Sequence, residues 1–219
     1  MNTKRNVLVL LGLGAALILL WDSPVLLPIK LLTVFFHEFS HAAATWLTGG
    51  EVRALEIAAN QSGHVMAVGG NRFIILSAGY VGSLVVGAGL FLLTGYTKQD
   101  RWISRVMALV LAAVAIAYMR TPFALGFCLV VAAAMALMSF YLSDQTNDLV
   151  LHFIALASML YVPFDIYSDT LRWGSSGSYA HMLAELVGGT ARLWGFFWLA
   201  LSTVILIGSI ILRGRMKEA

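Results

Sequence analysis

A chain of 219 residues that is 60% hydrophobic and only 11% charged, with a mean hydropathy of +0.85, has too little polar surface for a water-soluble fold, in which the charged share is about 25%. Its formal charge of +3 does not mark a nucleic-acid binder, because Lys and Arg fall at the ends of apolar runs, where membrane flanks carry them. The single Cys128 excludes an internal disulfide, and it lacks the partners a cysteine-based zinc site needs, so it reads as a packing residue.

Lys4 and Arg5 precede an apolar run from Val7 to Trp21. The run resembles a signal peptide, but it exits through Trp21-Asp22-Ser23-Pro24 without a small-x-small cleavage site and is read as an uncleaved first span. A second span starts at about Val25 or Ile29, reaches Leu47 and stops at the glycine pair Gly49-Gly50. Its second half holds Phe35-Phe36-His37-Glu38-Phe39-Ser40-His41-Ala42, three ionisable side chains in an apolar run. A helix turns by about 100° per residue, so His37 and His41 stack on one face and present two imidazole nitrogens to one metal ion, with Glu38 beside them to act on water held by that metal. In zinc hydrolases this spacing supplies two ligands and a general base. Ionisable groups inside a membrane helix are costly and mark a site or a pathway, which weighs against ordinary core histidines.

Residues Glu51 to Ile57 alternate, Asn60-Gln61-Ser62-Gly63 is turn chemistry, and His64 to Val68 runs on to Gly69-Gly70. The stretch Glu51 to Val68 is expected to form a β-hairpin whose edge could grip an extended peptide substrate, against the plainer reading of a loop. His64 is read as a surface residue. The third span, Arg72 to Thr94, carries Gly79, Ser83 and Gly87 at four-residue spacing. That small-residue face is expected to touch the second span, or else to serve another partner. Spans at Trp102 to Tyr118, Pro122 to Leu142 and Leu149 to Tyr161 follow, the last with His152 as a packing or hydrogen-bonded residue.

Asp165 and Asp169 lie where the sixth span ends, after Val162-Pro163-Phe164. A two-histidine zinc site needs a third protein ligand, commonly a carboxylate. The second and sixth spans run in the same direction, so the two half-sites reach the same membrane face. Asp165 is the expected third ligand and Asp169 the alternative, with helix capping or a solvated loop as the plainer account of both. Pro163 is expected to break the helix and free carbonyls there. His181 and Glu185, four apart, read as a solvated helix face. The last span runs from Ala191 to Leu212, with Trp194 and Trp198 one turn apart.

These residues resemble the site-2 protease family of intramembrane zinc metallopeptidases, in its small bacterial branch without an inserted peptide-binding domain. The carriers are His37-Glu38-Phe39-Ser40-His41-Ala42, Thr48-Gly49-Gly50-Glu51-Val52, Ser77-Ala78-Gly79-Tyr80-Val81-Gly82, Asp165-Ile166 with Asp169, and the Trp-rich last span. The resemblance implies that His37 and His41 bind one zinc ion, that Glu38 is catalytic, and that an aspartate from a later helix completes the site. It also implies a cytoplasmic N-terminus and a bacterial cytoplasmic membrane. The chain departs from the family pattern twice. Asp165-Ile166 stands near where an Asp-Gly pair is usual, and Ser178-Tyr179-Ala180 stands where relatives carry Ser-Asp-Ala.

The expected fold is an all-α polytopic membrane protein of about seven transmembrane helices, with a short β-hairpin after the second and residues 1–219 forming one domain. The expected activity is zinc-dependent cleavage of a membrane protein or peptide. A non-hydrolytic alternative, a pseudoprotease or metal-handling protein that binds partner helices, uses the same residues without the base that Glu38 supplies.

Overall fold

A computed structural model describes residues 12–167, 170 and 178–216. Helix α1 (Gly12–Leu19) is followed, across a bend of 116°, by a 3-10 turn (Pro24–Leu26) that leads into α2 (Leu27–Leu47). The order continues as β1 (Glu51–Ile57), β2 (Gly63–Val68), α3 (Arg72–Tyr96), α4 (Asp100–Tyr118), α5 (Pro122–Tyr141), α6 (Asp144–Ile166), α7 (Tyr179–Val187) and α8 (Ala191–Met216). Helices α3, α4, α5, α6 and α8 are long and apolar enough to cross a membrane, and the bent unit of α1 and α2 makes a sixth if taken as one span. The described residues therefore give five to six candidate spans where about seven were expected. The expected first span, Val7 to Trp21, begins outside the described residues, and where it is described it meets α2 at a bend, with Ser23 capping a new turn at Val25.

Side chains set most of the helix ends. The Asn71, Thr121, Ser143 and Ser178 side chains each accept a bond from a first-turn N–H of α3, α5, α6 and α7. Gly49 and Gly188 take φ of 79° and 91° just past the ends of α2 and α7, a conformation a side chain would strain. The Thr48 hydroxyl accepts from Asn71 N at 3.0 Å and so ties the end of α2 to the start of α3. Pro163 does not break α6, contrary to expectation. The helix runs through it to Ile166, because a single lost N–H is tolerated where neighbouring helices hold the chain.

The hairpin forms as expected, with Glu51 paired to Val68 and Ile57 to Gly63, and with one extra residue, Arg53, bulged out of β1. β1 is largely buried and β2 largely exposed. Glu56, buried on β1, accepts from Arg120 N at 2.5 Å, Thr121 N at 3.1 Å and Thr121 Oγ1 at 2.6 Å. It thus fastens the hairpin to the α4–α5 turn.

The small residues of α3 serve two neighbours. Gly82 leaves room for Ser40 of α2, and Gly87 leaves room for Ser158 and Met159 of α6, while the Ser158 hydroxyl donates to the Ser83 carbonyl at 2.9 Å. At the far ends of these helices His152 sits in a buried polar knot rather than in simple packing. Its Nδ1 lies 2.9 Å from Asp148 Oδ1, its Nε2 meets Thr94 and Arg213, and Arg213 Nη1 donates to the Phe91 carbonyl at 2.7 Å. Arg101 and Asp144 pair at 2.5 Å on the same end.

The chain path puts the hairpin and the α7–α8 turn at one end of the bundle and the α3–α4 and α5–α6 turns at the other. In a Cys128→Ala background, single cysteines at Gln61 and Glu185 should therefore react with an impermeant thiol reagent from one side of the membrane, and those at Lys98 and Gln145 from the other. Any other grouping contradicts the topology.

Candidate metal centre

His37, Glu38 and His41 are all buried in the second half of α2. Helical spacing brings the two imidazoles to a centroid separation of 4.8 Å. His41 Nδ1 lies 2.6 Å from the carbonyl oxygen of Ile75 on α3. A carbonyl only accepts, so Nδ1 carries the proton and Nε2 presents a lone pair. That Nε2 is buried and has no hydrogen-bond partner.

Gly79 lies one turn beyond Ile75 on the same face of α3. A β-carbon built on it would strike Nε2 of both His37 and His41. Two imidazole nitrogens from α2 thus point into one space alongside the Gly79 backbone, and only glycine leaves that space open. A buried nitrogen acceptor is seldom left without a partner, as His41 Nε2 is here, and a second imidazole nitrogen close by makes two of the ligands that a divalent metal takes. The residues present therefore fit a metal held by His37 and His41.

Asp165, at the end of α6, reaches His37. Its Oδ2 is 3.8 Å from His37 Nδ1, and its charge is felt at Glu38. The parallel run of α2 and α6 does bring the two half-sites together. Asp165 approaches the Nδ1 side of His37, away from the Gly79 space. Among the described residues no three His, Cys, Asp or Glu side chains are gathered closely enough to hold a metal. Asp169 lies outside the described residues. His64 is exposed on β2, and His181 forms a 3.3 Å pair with Glu185 on an open face of α7.

Three neighbours of the motif were not singled out as site residues from sequence. Gly63, which opens β2, sits over Glu38, and a β-carbon there would lie 2.6 Å from Glu38 Oε1. Tyr80 meets His37 edge-on at a centroid distance of 5.0 Å. Tyr179 stands 4.2 Å from the His41 ring and 5.4 Å from the His37 ring. The sequence signal at 79 and 80 was the small-residue stripe, which read as packing. At 179 it was the departure from Ser-Asp-Ala.

A family model described as Peptidase M50B-like matches residues 10–209. The chain belongs to that family. The M50B-like peptidases are the site-2 protease family, so membership implies membrane metalloprotease activity for this member. No curated protein and no solved structure matches it.

Gly79→Ala would fill the space between the two imidazoles while leaving both histidines in place. Zinc content of the purified protein should fall to background. Gly89→Ala, whose β-carbon meets nothing within 4 Å, should keep it. Full zinc in Gly79→Ala would show that the histidines do not use this space.

Proposed function

We propose that this protein is a zinc-dependent intramembrane peptidase of a bacterial cytoplasmic membrane that cleaves a membrane protein or peptide. The observation that carries the reading is the convergence of His37 Nε2 and His41 Nε2 on the space beside Gly79, with Glu38 buried next to them. Bound zinc would acidify a water to near neutrality and polarise the scissile carbonyl. Glu38 takes a proton from the attacking water as the C–O bond forms and returns it to the amine as the C–N bond breaks. The Ile75 carbonyl fixes the tautomer of His41 throughout. Asp165 is proposed as the carboxylate that completes the centre beside His37.

The extended substrate is proposed to add along β2. Among the described residues that strand has no partner beyond β1, and its first residue lies over Glu38. Strand addition would hold a peptide backbone by main-chain bonds near the base.

Purified protein assayed for zinc, and for cleavage of a co-reconstituted transmembrane substrate, tests the roles separately. His37→Ala and His41→Ala should lose both. Glu38→Gln should keep zinc and lose at least about 100-fold in rate, the lower end of general acid–base effects; cleavage at the wild-type rate by this variant would sink the hydrolytic reading. For Asp165→Ala, an empty site identifies a ligand. A zinc affinity lower by about 10–100-fold identifies a carboxylate acting through His37.

A further inference from the structure

Tyr179 is the first residue of α7, a short helix set in place by three contacts. Ser178 caps it by accepting from His181 N at 3.2 Å, and Ala180 and Leu183 are wholly buried. Its ring is therefore held, not free to swing. It lies over the His41 imidazole at an interplanar angle of 34° and over that of His37 at 38°. Behind it Tyr80 stands edge-on at 6.4 Å, backed in turn by the buried Trp198 at 4.8 Å. The two histidines are thus enclosed between the Gly79 backbone, Tyr80 and Tyr179.

Packing alone accounts for an aromatic ring but not for an interaction with a carboxylate. A tyrosine at a membrane helix end ordinarily sends its hydroxyl to water or headgroups. Here Tyr179 packs on the two histidines that flank Glu38 and interacts with the Glu38 side chain, one oxygen of which, Oε2, is buried without a partner. The opposite side of Glu38 is closed by Gly63. Tyr179 therefore meets both the metal-binding pair and the base.

We propose that Tyr179 is a positioning residue of this centre: its ring clamps the two imidazoles with both Nε2 atoms toward Gly79, and its hydroxyl holds the Glu38 carboxylate in place. This rests on the peptidase reading above and adds to it a residue from α7. The two parts separate chemically, since phenylalanine keeps the ring and lacks the hydroxyl, while leucine removes both at similar volume.

The test uses the full chain in detergent as wild type, Tyr179→Phe, Tyr179→Leu and Glu38→Gln, each checked for helicity. Zinc affinity by chelator competition reads the clamp without reference to activity. Tyr179→Phe should match wild type, and Tyr179→Leu should bind about 10–100-fold more weakly, the range for residues that orient metal ligands. Cleavage of a transmembrane peptide reads the hydroxyl. Tyr179→Phe should lose about 10-fold or more in kcat with KM unchanged. Weak zinc binding by Tyr179→Phe would make the hydroxyl a ligand and overturn the positioning role. Wild-type affinity in Tyr179→Leu would overturn the clamp, and wild-type kcat in Tyr179→Phe would overturn the hold on Glu38. If Glu38→Gln cleaves normally, the hydrolytic reading falls and the hydroxyl's role with it, while zinc affinity still decides the clamp.

Discussion

The whole centre depends on how closely α3 approaches α2. Helices in lipid gain little from apolar contact with each other, since the lipid tails are as apolar as leucine, so close approach requires small residues at the crossing. Gly79 and Gly82 supply them, one facing the histidine nitrogens and the other facing Ser40. The same approach brings the Ile75 carbonyl within 2.6 Å of His41 Nδ1. One helix crossing therefore does two chemical tasks. It leaves room where the nitrogens converge, and it fixes which nitrogen of His41 stays bare.

The rest of the bundle holds that crossing in register. Gly87 and Ser83 of α3 carry α6 at a similarly close distance, and this brings Asp165 to within 3.8 Å of His37. At the opposite end, Arg213 of α8 bonds the Phe91 carbonyl and meets His152 of α6. An arginine buried in an apolar bundle is costly, and this one matches its two Nη groups while its Nε is buried without a hydrogen-bond partner. Here it locks α3, α6 and α8 together at the end remote from the histidines. Polar groups thus concentrate at the two ends of the same three-helix stack, and apolar packing fills the length between.

Much of this was legible in the sequence. Composition gave a membrane protein, and the spacing of His37 and His41 gave a helix face bearing two adjacent imidazoles. The parity of the spans put Asp165 at the same end, and alternation followed by turn residues gave the hairpin with nearly its observed bounds. What stayed illegible depends on tertiary distance. The small-residue stripe announced close packing, but nothing in the spacing said that Gly79 would face two nitrogens while Gly87 faced a different helix. The Ile75 carbonyl carries no side-chain signal at all. His152 read as a packing or hydrogen-bonded residue, and the structure gives the second, with one partner, Arg213, 61 positions away. The bend of 116° after Trp21 carries no signal in composition, and Pro163 did not interrupt α6 because proline's effect is decided by what surrounds the helix.

The hairpin touches two parts of the molecule that share no other link through it. At one strand, Glu56 is held by the backbone of Arg120 and Thr121, and hydrogen bonds to a charged acceptor are worth about 1.5–3 kcal/mol each. At the other strand, Gly63 rests against Glu38 with no spare room. Ile57 and Gly63 are paired, so these two points of attachment lie within one rung of the ladder of each other. The hairpin therefore acts as a short beam with a fixed fulcrum at the α4–α5 turn and its working end on the base. A displacement of β2 relative to the α4–α5 turn would press Gly63 against the Glu38 carboxylate, because no room is left between them.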